Sequence, residues 1–122
     1  MDDRGLARIN AIGRAILGAG LLVAPELAAR GWIGDTSSAA GTKVVTRALG
    51  IRDVALGAGL LWALSNDEPI HAWITGAAAA DAIDAAATLA GGDDLPTAGR
   101  VGVFALAAGS AIQMAVLARR TA

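Results

Sequence analysis

Asp81 and Asp84, two carboxylates one helical turn apart, are the residues best placed by type and spacing to do chemistry. Paired carboxylates can divide acid and base work when their surroundings set them apart. Both lie in an apolar, Ala-rich run, where charges are not expected. Arg14, Arg47, Arg52 and Asp53 lie inside two further apolar runs. Three positive and three negative groups could neutralise one another. Ionisable groups at membrane depth cost free energy, and they face a bundle interior, a partner charge or a watery cavity.

Other chemistry is largely excluded. The chain has no Cys, so disulfides, thiolate metal sites and thiol catalysis are ruled out. One His cannot make a histidine cluster, and Asp81-x-x-Asp84 lacks the further ligands of a metal site, so no metal and no cofactor are expected. Ser110 has no base nearby in sequence, and no strand precedes the glycines to make a phosphate loop. With net charge −1 and no basic stripe, nucleic acid is not an expected partner.

The elements that must position these charges are long and apolar. The chain of 122 residues fits a single domain, 55% hydrophobic and only 17% charged. Soluble domains carry about 25% charged residues. Hydrophobic pattern, Gly and Pro breaks and polar loops predict helices over about 6–25, 43–64, 70–90 and 101–118. Residues 26–33 read as a short interfacial stretch, with Trp32 at headgroup level. Thr42 and Thr97 are expected as caps of the second and fourth helices. The fourth run is uncharged throughout and long enough to span. The first carries Arg14 and lacks a clean small-residue cleavage site, so no signal peptide is expected. The fold class expected is all-α, a four-helix transmembrane bundle running antiparallel, up-down-up-down.

Residues three and four apart share a helix face. Asn10, Arg14, Leu17 and Leu21 fall on one face of the first helix. Thr46, Gly50, Asp53, Gly57 and Leu60 fall on one face of the second. Asp81, Asp84 and Thr88, extended by Ala77, share a face of the third, and Gly102, Leu106, Gly109 and Gln113 a face of the fourth. Turning all four inward makes a polar network of Asn10, Arg14, Arg47, Arg52, Asp53, Asp81, Asp84, Thr88 and Gln113. Arg47 is nearer its helix end and can snorkel outward. Arg52 points about 100° from Asp53 and must reach a neighbouring helix, a partner subunit or the interface. A central Asp or Arg costs about 2.5–3.5 kcal/mol on insertion scales, whereas a Leu returns a few tenths. The third helix alone should therefore insert poorly and depend on an Arg, Arg14 or Arg52, to pair with Asp81. An internal echo, Gly18-Ala19-Gly20-Leu21-Leu22 against Gly57-Ala58-Gly59-Leu60-Leu61, lays Arg14 on Asp53; composition alone can produce such a match.

The stretch Arg47-Ala48-Leu49-Gly50-Ile51-Arg52-Asp53-Val54-Ala55-Leu56-Gly57 resembles a pattern in small four-pass bacterial membrane proteins of unknown function. Gly13-Arg14 and Asp81-x-x-Asp84 are similar too. The resemblance covers most of the chain and implies a fold and a membrane address, with no activity.

Two function classes follow. One is a non-catalytic membrane protein, an accessory subunit or a module binding a lipophilic molecule. The other is a small membrane enzyme or proton-coupled carrier using Asp81 or Asp84 as acid/base. A purely structural network is the plain alternative to both. An Ala-rich water-soluble bundle is opposed by the uncharged fourth run. The partners expected are the lipid bilayer, a lipophilic small molecule, and further copies or other subunits through the small-residue faces. Arg4, Arg8, Arg119 and Arg120 lie at one end and Arg30, Lys43 and Arg100 at the other. The excess places both termini in the cytoplasm of a cell whose inner membrane holds the chain.

Overall fold

A computed structural model describes all 122 residues. The chain is all-α, 90% helical, with five α-helices and no strand. The helices are α1 (Asp3–Val23), α2 (Pro25–Ile33), α3 (Ala40–Ser65), α4 (His71–Gly91) and α5 (Thr97–Thr121). Single 3-10 turns at Gly34–Ser38 and Gly92–Asp94 precede α3 and α5.

Local chemistry explains the breaks. Asp2 caps α1, its carboxylate accepting from Gly5 N at 2.9 Å. Ala24 leaves the helical conformation and Pro25 opens α2, where its missing N–H costs nothing. Gly34 then stops α2 at φ +75°, a conformation that needs glycine. The interfacial stretch expected at 26–33 is thus a helix. Thr42 and Thr97 do not cap: Ala39 and Pro96 occupy the cap positions, without side-chain bonds, and both helices start earlier than expected.

Helices α1, α3 and α5 are long and apolar enough to cross a membrane. Four such segments were expected, and α4 falls short. Its length suffices, but Asp81, Asp84 and an excess of Ala over Leu dilute its hydropathy. Ile16, Val45, Ile83, Ile112 and Val116 point away from the interior, on four helices. Apolar surface on that scale is uncommon on soluble monomers.

The long helices associate chiefly as two pairs, α1 with α3 and α4 with α5. Both run antiparallel: Gly18 meets Gly50 while Gly57 meets Ala11, and His71 Nδ1 lies 3.0 Å from Ala118 O where Asp81 meets Ser110. In the first pair the backbones touch. A Cβ on Gly18 would lie 2.6 Å from Gly50 O and 2.7 Å from Val54 N. One on Gly57 would lie 2.6 Å from Ala11 O and 2.9 Å from Ala15 N. The alignment that lays Gly18 on Gly57 also lays Ala11 on Gly50 and Ala15 on Val54. The two contacts are therefore equivalent under that alignment.

The main apolar cluster fills the half of the molecule nearest the chain termini. Leu60, Ile74, Met114 and Leu117 are its largest sealed apolar side chains, closed round by Ala7, Ala11, Ala63 and Ala77. The charges lie beyond it.

The close crossing can be tested. Gly18→Leu drives a side chain into backbone and should cost at least about 1–3 kcal/mol. Gly102→Leu, with nothing within 4 Å of its Cβ, is the control. Thermal unfolding in detergent should show a lowered midpoint for the first and little change for the second. Equal midpoints would mean that α1 and α3 do not touch.

Candidate functional site

Arg14, Asp53, Asp81 and Ser110 stand near the midpoints of α1, α3, α4 and α5, at one level. Arg14 is only 8% exposed, Asp53 5% and Asp81 7%. The Arg14 guanidinium bridges both: Nη1 donates to Asp53 Oδ1 at 3.2 Å and Nη2 to Asp81 Oδ2 at 2.5 Å. It thereby ties the α1/α3 pair to α4.

Arg52 makes the second tie. It reaches across to α4, donating from Nη1 and Nη2 to both oxygens of Asp84 at 3.0 and 2.6 Å. Its Nε and Nη2 also fold back onto Asp53 Oδ1, at 3.3 and 3.1 Å. Planar, bidentate pairing of this kind is the strong form of an Arg–carboxylate contact. Of the three destinations open to Arg52 in sequence, the structure takes the neighbouring helix.

Neutral groups extend the network. Ser110 donates to Asp81 Oδ2 at 2.6 Å, and Asn10 Nδ2 donates to Ser110 Oγ at 3.0 Å. Thr88 donates to Asp84 O at 2.7 Å and accepts from Trp32 Nε1 at 3.1 Å. Ser110 and Trp32 join the network although the sequence marks neither as part of it. A lone hydroxyl inside the uncharged run 101–118 is the available signal for Ser110; nothing in the sequence places Trp32 on Thr88.

Two of the selected residues stay outside. Arg47 donates to Leu22 O at 3.3 Å, and with Glu26, Arg30 and Lys43 it lines an open hollow of about 410 Å³. Gln113 is exposed and makes no side-chain hydrogen bond within the protein. The departure of Arg47 changes the charge balance. The linked cluster holds two cations, Arg14 and Arg52, against three carboxylates, Asp53, Asp81 and Asp84.

Beside the cluster lies a cleft of about 700 Å³, walled by α1 and α5. Leu6, Ile9 and Leu17 line one side and Val103 and Leu106 the other, while Ala28 and Trp32 of α2 contribute at one end. Asn10, Arg14, Asp81 and Ser110 provide polar surface. The α5 face expected to turn inward, Leu106 with Gly109 and Gln113, borders this cleft and is not packed against another helix. Gly13 and Gly109 face each other's side of it with open space where a Cβ would stand. No group of His and acidic residues here could hold a metal ion.

Comparison with protein-family models, curated proteins and solved structures finds no match.

The bridge predicts an ordering of variants. Arg14→Met leaves three carboxylates to Arg52 alone and should cost about 3–5 kcal/mol, as breaking a buried pair does. Asp81→Asn keeps an oxygen for Arg14 and Ser110 and brings the charges to two against two, so its effect should be small. Adding Asp81→Asn to Arg14→Met should restore part of the loss. Unfolding midpoints in detergent test this; Asp81→Asn as damaging as Arg14→Met would overturn it.

Proposed function

We propose that this chain is a four-helix transmembrane bundle of the inner membrane and a module that binds a lipophilic molecule between α1 and α5. In this reading α1, α3, α4 and α5 cross up-down-up-down, with both termini cytoplasmic. Helix α4 enters because Arg14 and Arg52 meet its carboxylates, which removes most of the cost that keeps it out alone. The slight Arg excess at the terminal end sets the orientation.

The cleft carries the reading. Its volume, about 700 Å³, lies within the roughly 300–1,000 Å³ typical of small-molecule sites. Its character also fits: mostly apolar walls with a few converging polar groups. Being bordered by two apolar helices, it is open to a molecule arriving from the hydrocarbon. The acid/base alternative has less support at Asp84, where Arg52 grips both oxygens; at Asp81, Arg14 and Ser110 both bind Oδ2, which favours a fixed carboxylate that binds over one that exchanges protons.

Two measurements test the proposal. Reporter fusions at Met1 and Ala122 should agree in sidedness; opposite faces would mean that α4 does not cross. A long-chain alkanol bearing a photoactivatable diazirine should label the cleft residues Leu17 and Leu106 of the protein in lipid nanodiscs. Gly109→Trp, which places a ring in open space, should suppress that labelling. Labelling spread evenly over Ile16 and Val45, and indifferent to Gly109→Trp, would sink the cleft as a binding site.

A further inference from the structure

We propose that the molecule taken by the cleft is a lipophilic cation, an amine on an apolar body, whose ammonium sits between Asp81 and Asn10. This rests on the cleft reading and adds the charge and donor pattern of the ligand.

The first argument is charge. With Arg47 withdrawn, two guanidinium groups face three carboxylates, leaving one negative charge in excess. The three are not equally compensated. Asp84 has Arg52 on both oxygens, and Asp53 Oδ1 accepts from Arg14 and twice from Arg52. Asp81 has one guanidinium N–H and the Ser110 hydroxyl, both on Oδ2, and none on Oδ1. It is the least compensated of the three, and it lines the cleft. The groups around it are Arg14 and Asn10 from α1, Asp53 and Arg52 from α3, Asp84 from its own helix and Ser110 from α5. No further cation stands among them.

The second argument is hydrogen-bond direction. Ser110 has one proton and gives it to Asp81, so it must accept from Asn10. That fixes the Asn10 amide, with Nδ2 on Ser110 and Oδ1 left over. Asn10 Oδ1 is buried and has no partner. Asp81 Oδ1 and Asn10 Oδ1, at the two ends of this chain of hydrogen bonds, are thus left without donors, as is Asp53 Oδ2 deeper in the cluster. An ammonium supplies up to three N–H donors and the missing positive charge. A carboxylate or phosphate would add a second excess negative charge in a poorly screened interior. Arg14 Nε also lacks a partner. It belongs to a guanidinium already committed to two carboxylates, so it does not reverse the sign of the site.

Dodecylammonium, dodecyltrimethylammonium, dodecanol and dodecanoate share a chain and differ in head charge and donors. Each would compete with the photoactivatable alkanol for the whole protein in nanodiscs of zwitterionic lipid. Dodecylammonium should displace the label at a concentration lower than dodecanol by about tenfold or more, roughly 1.4 kcal/mol. Dodecanoate should be weakest. Asp81→Asn should keep alkanol labelling and abolish the advantage of both cations. Asn10→Leu should weaken dodecylammonium more than the trimethylated cation, which has no N–H to give. Unfolding midpoints confirm that each variant is folded. Equal displacement by amine and alcohol, or an advantage that survives Asp81→Asn, overturns the cation while leaving the cleft reading intact. Failure of every probe to label the cleft overturns both.

Discussion

Arg14 holds the two halves of this molecule together. The α1/α3 pair is made by backbone touching backbone, and the α4/α5 pair by apolar side chains. Between the pairs little else is joined at mid-height: Gly76 receives Leu56, and Asn10 donates to Ser110. The guanidinium bridging Asp53 and Asp81, seconded by Arg52 on Asp84, is the seam. In lipid no hydrophobic force drives helices together, so packing and interhelical hydrogen bonds must do so. A seam made of charges also imposes order on assembly. Helix α4 is the one long helix not apolar enough to span by composition, and its carboxylates find cations only on α1 and α3.

Two antiparallel helices in contact are related by an approximate two-fold, and the contacts at Gly18/Gly50 and Ala11/Gly57 place Arg14 and Asp53 beside it. Equivalent positions near the axis of such a pair come to lie opposite each other. A duplicated residue there would meet its own kind, and two Arg or two Asp would repel. Here the equivalent positions are Arg14 and Asp53, 3.2 Å apart. The symmetry of the backbone is kept by small residues, Ala11 and Gly18 against Gly50 and Gly57, while the symmetry of charge is broken at the one place where it would be ruinous.

Much of this was legible in the sequence because charge marks a face. On α3 every residue assigned to the inward stripe, Thr46, Gly50, Asp53, Gly57 and Leu60, is buried. On α4, Ala77, Asp81 and Thr88 are buried and Asp84 nearly so. Between residues 101 and 118, α5 has no charge to read. A helix apolar all round has no preferred side, and the buried residues prove to be Gly99, Ala107, Met114 and Leu117. The choice there is made by fit, by Gly99 against the backbone of Gly31 and Trp32, which a count of apolar residues cannot foresee. Arg47 shows the opposite limit. Its type suited the network, but it lies closer to the end of its helix, and the carbonyl of Leu22 was nearer than any carboxylate.

The cleft and the uneven core have one origin. Where the helices carry Leu60, Ile74, Met114 and Leu117, side chains fill the centre and all four long helices close round them. At the level of the charges the central volume is taken by guanidinium and carboxylate groups. Apolar bulk placed there would break the pairing. Facing positions on α1 and α5 are instead Gly13 and Gly109, which contribute no volume at all. The helices cannot close that gap without disturbing the bonds from Asn10 to Ser110 and from Ser110 to Asp81, because this chain already spans the distance at hydrogen-bonding length. The polar contacts that hold α1, α4 and α5 in place therefore also hold the cleft open. A substitution that relaxed them would lose the space beside Asp81 together with the seam.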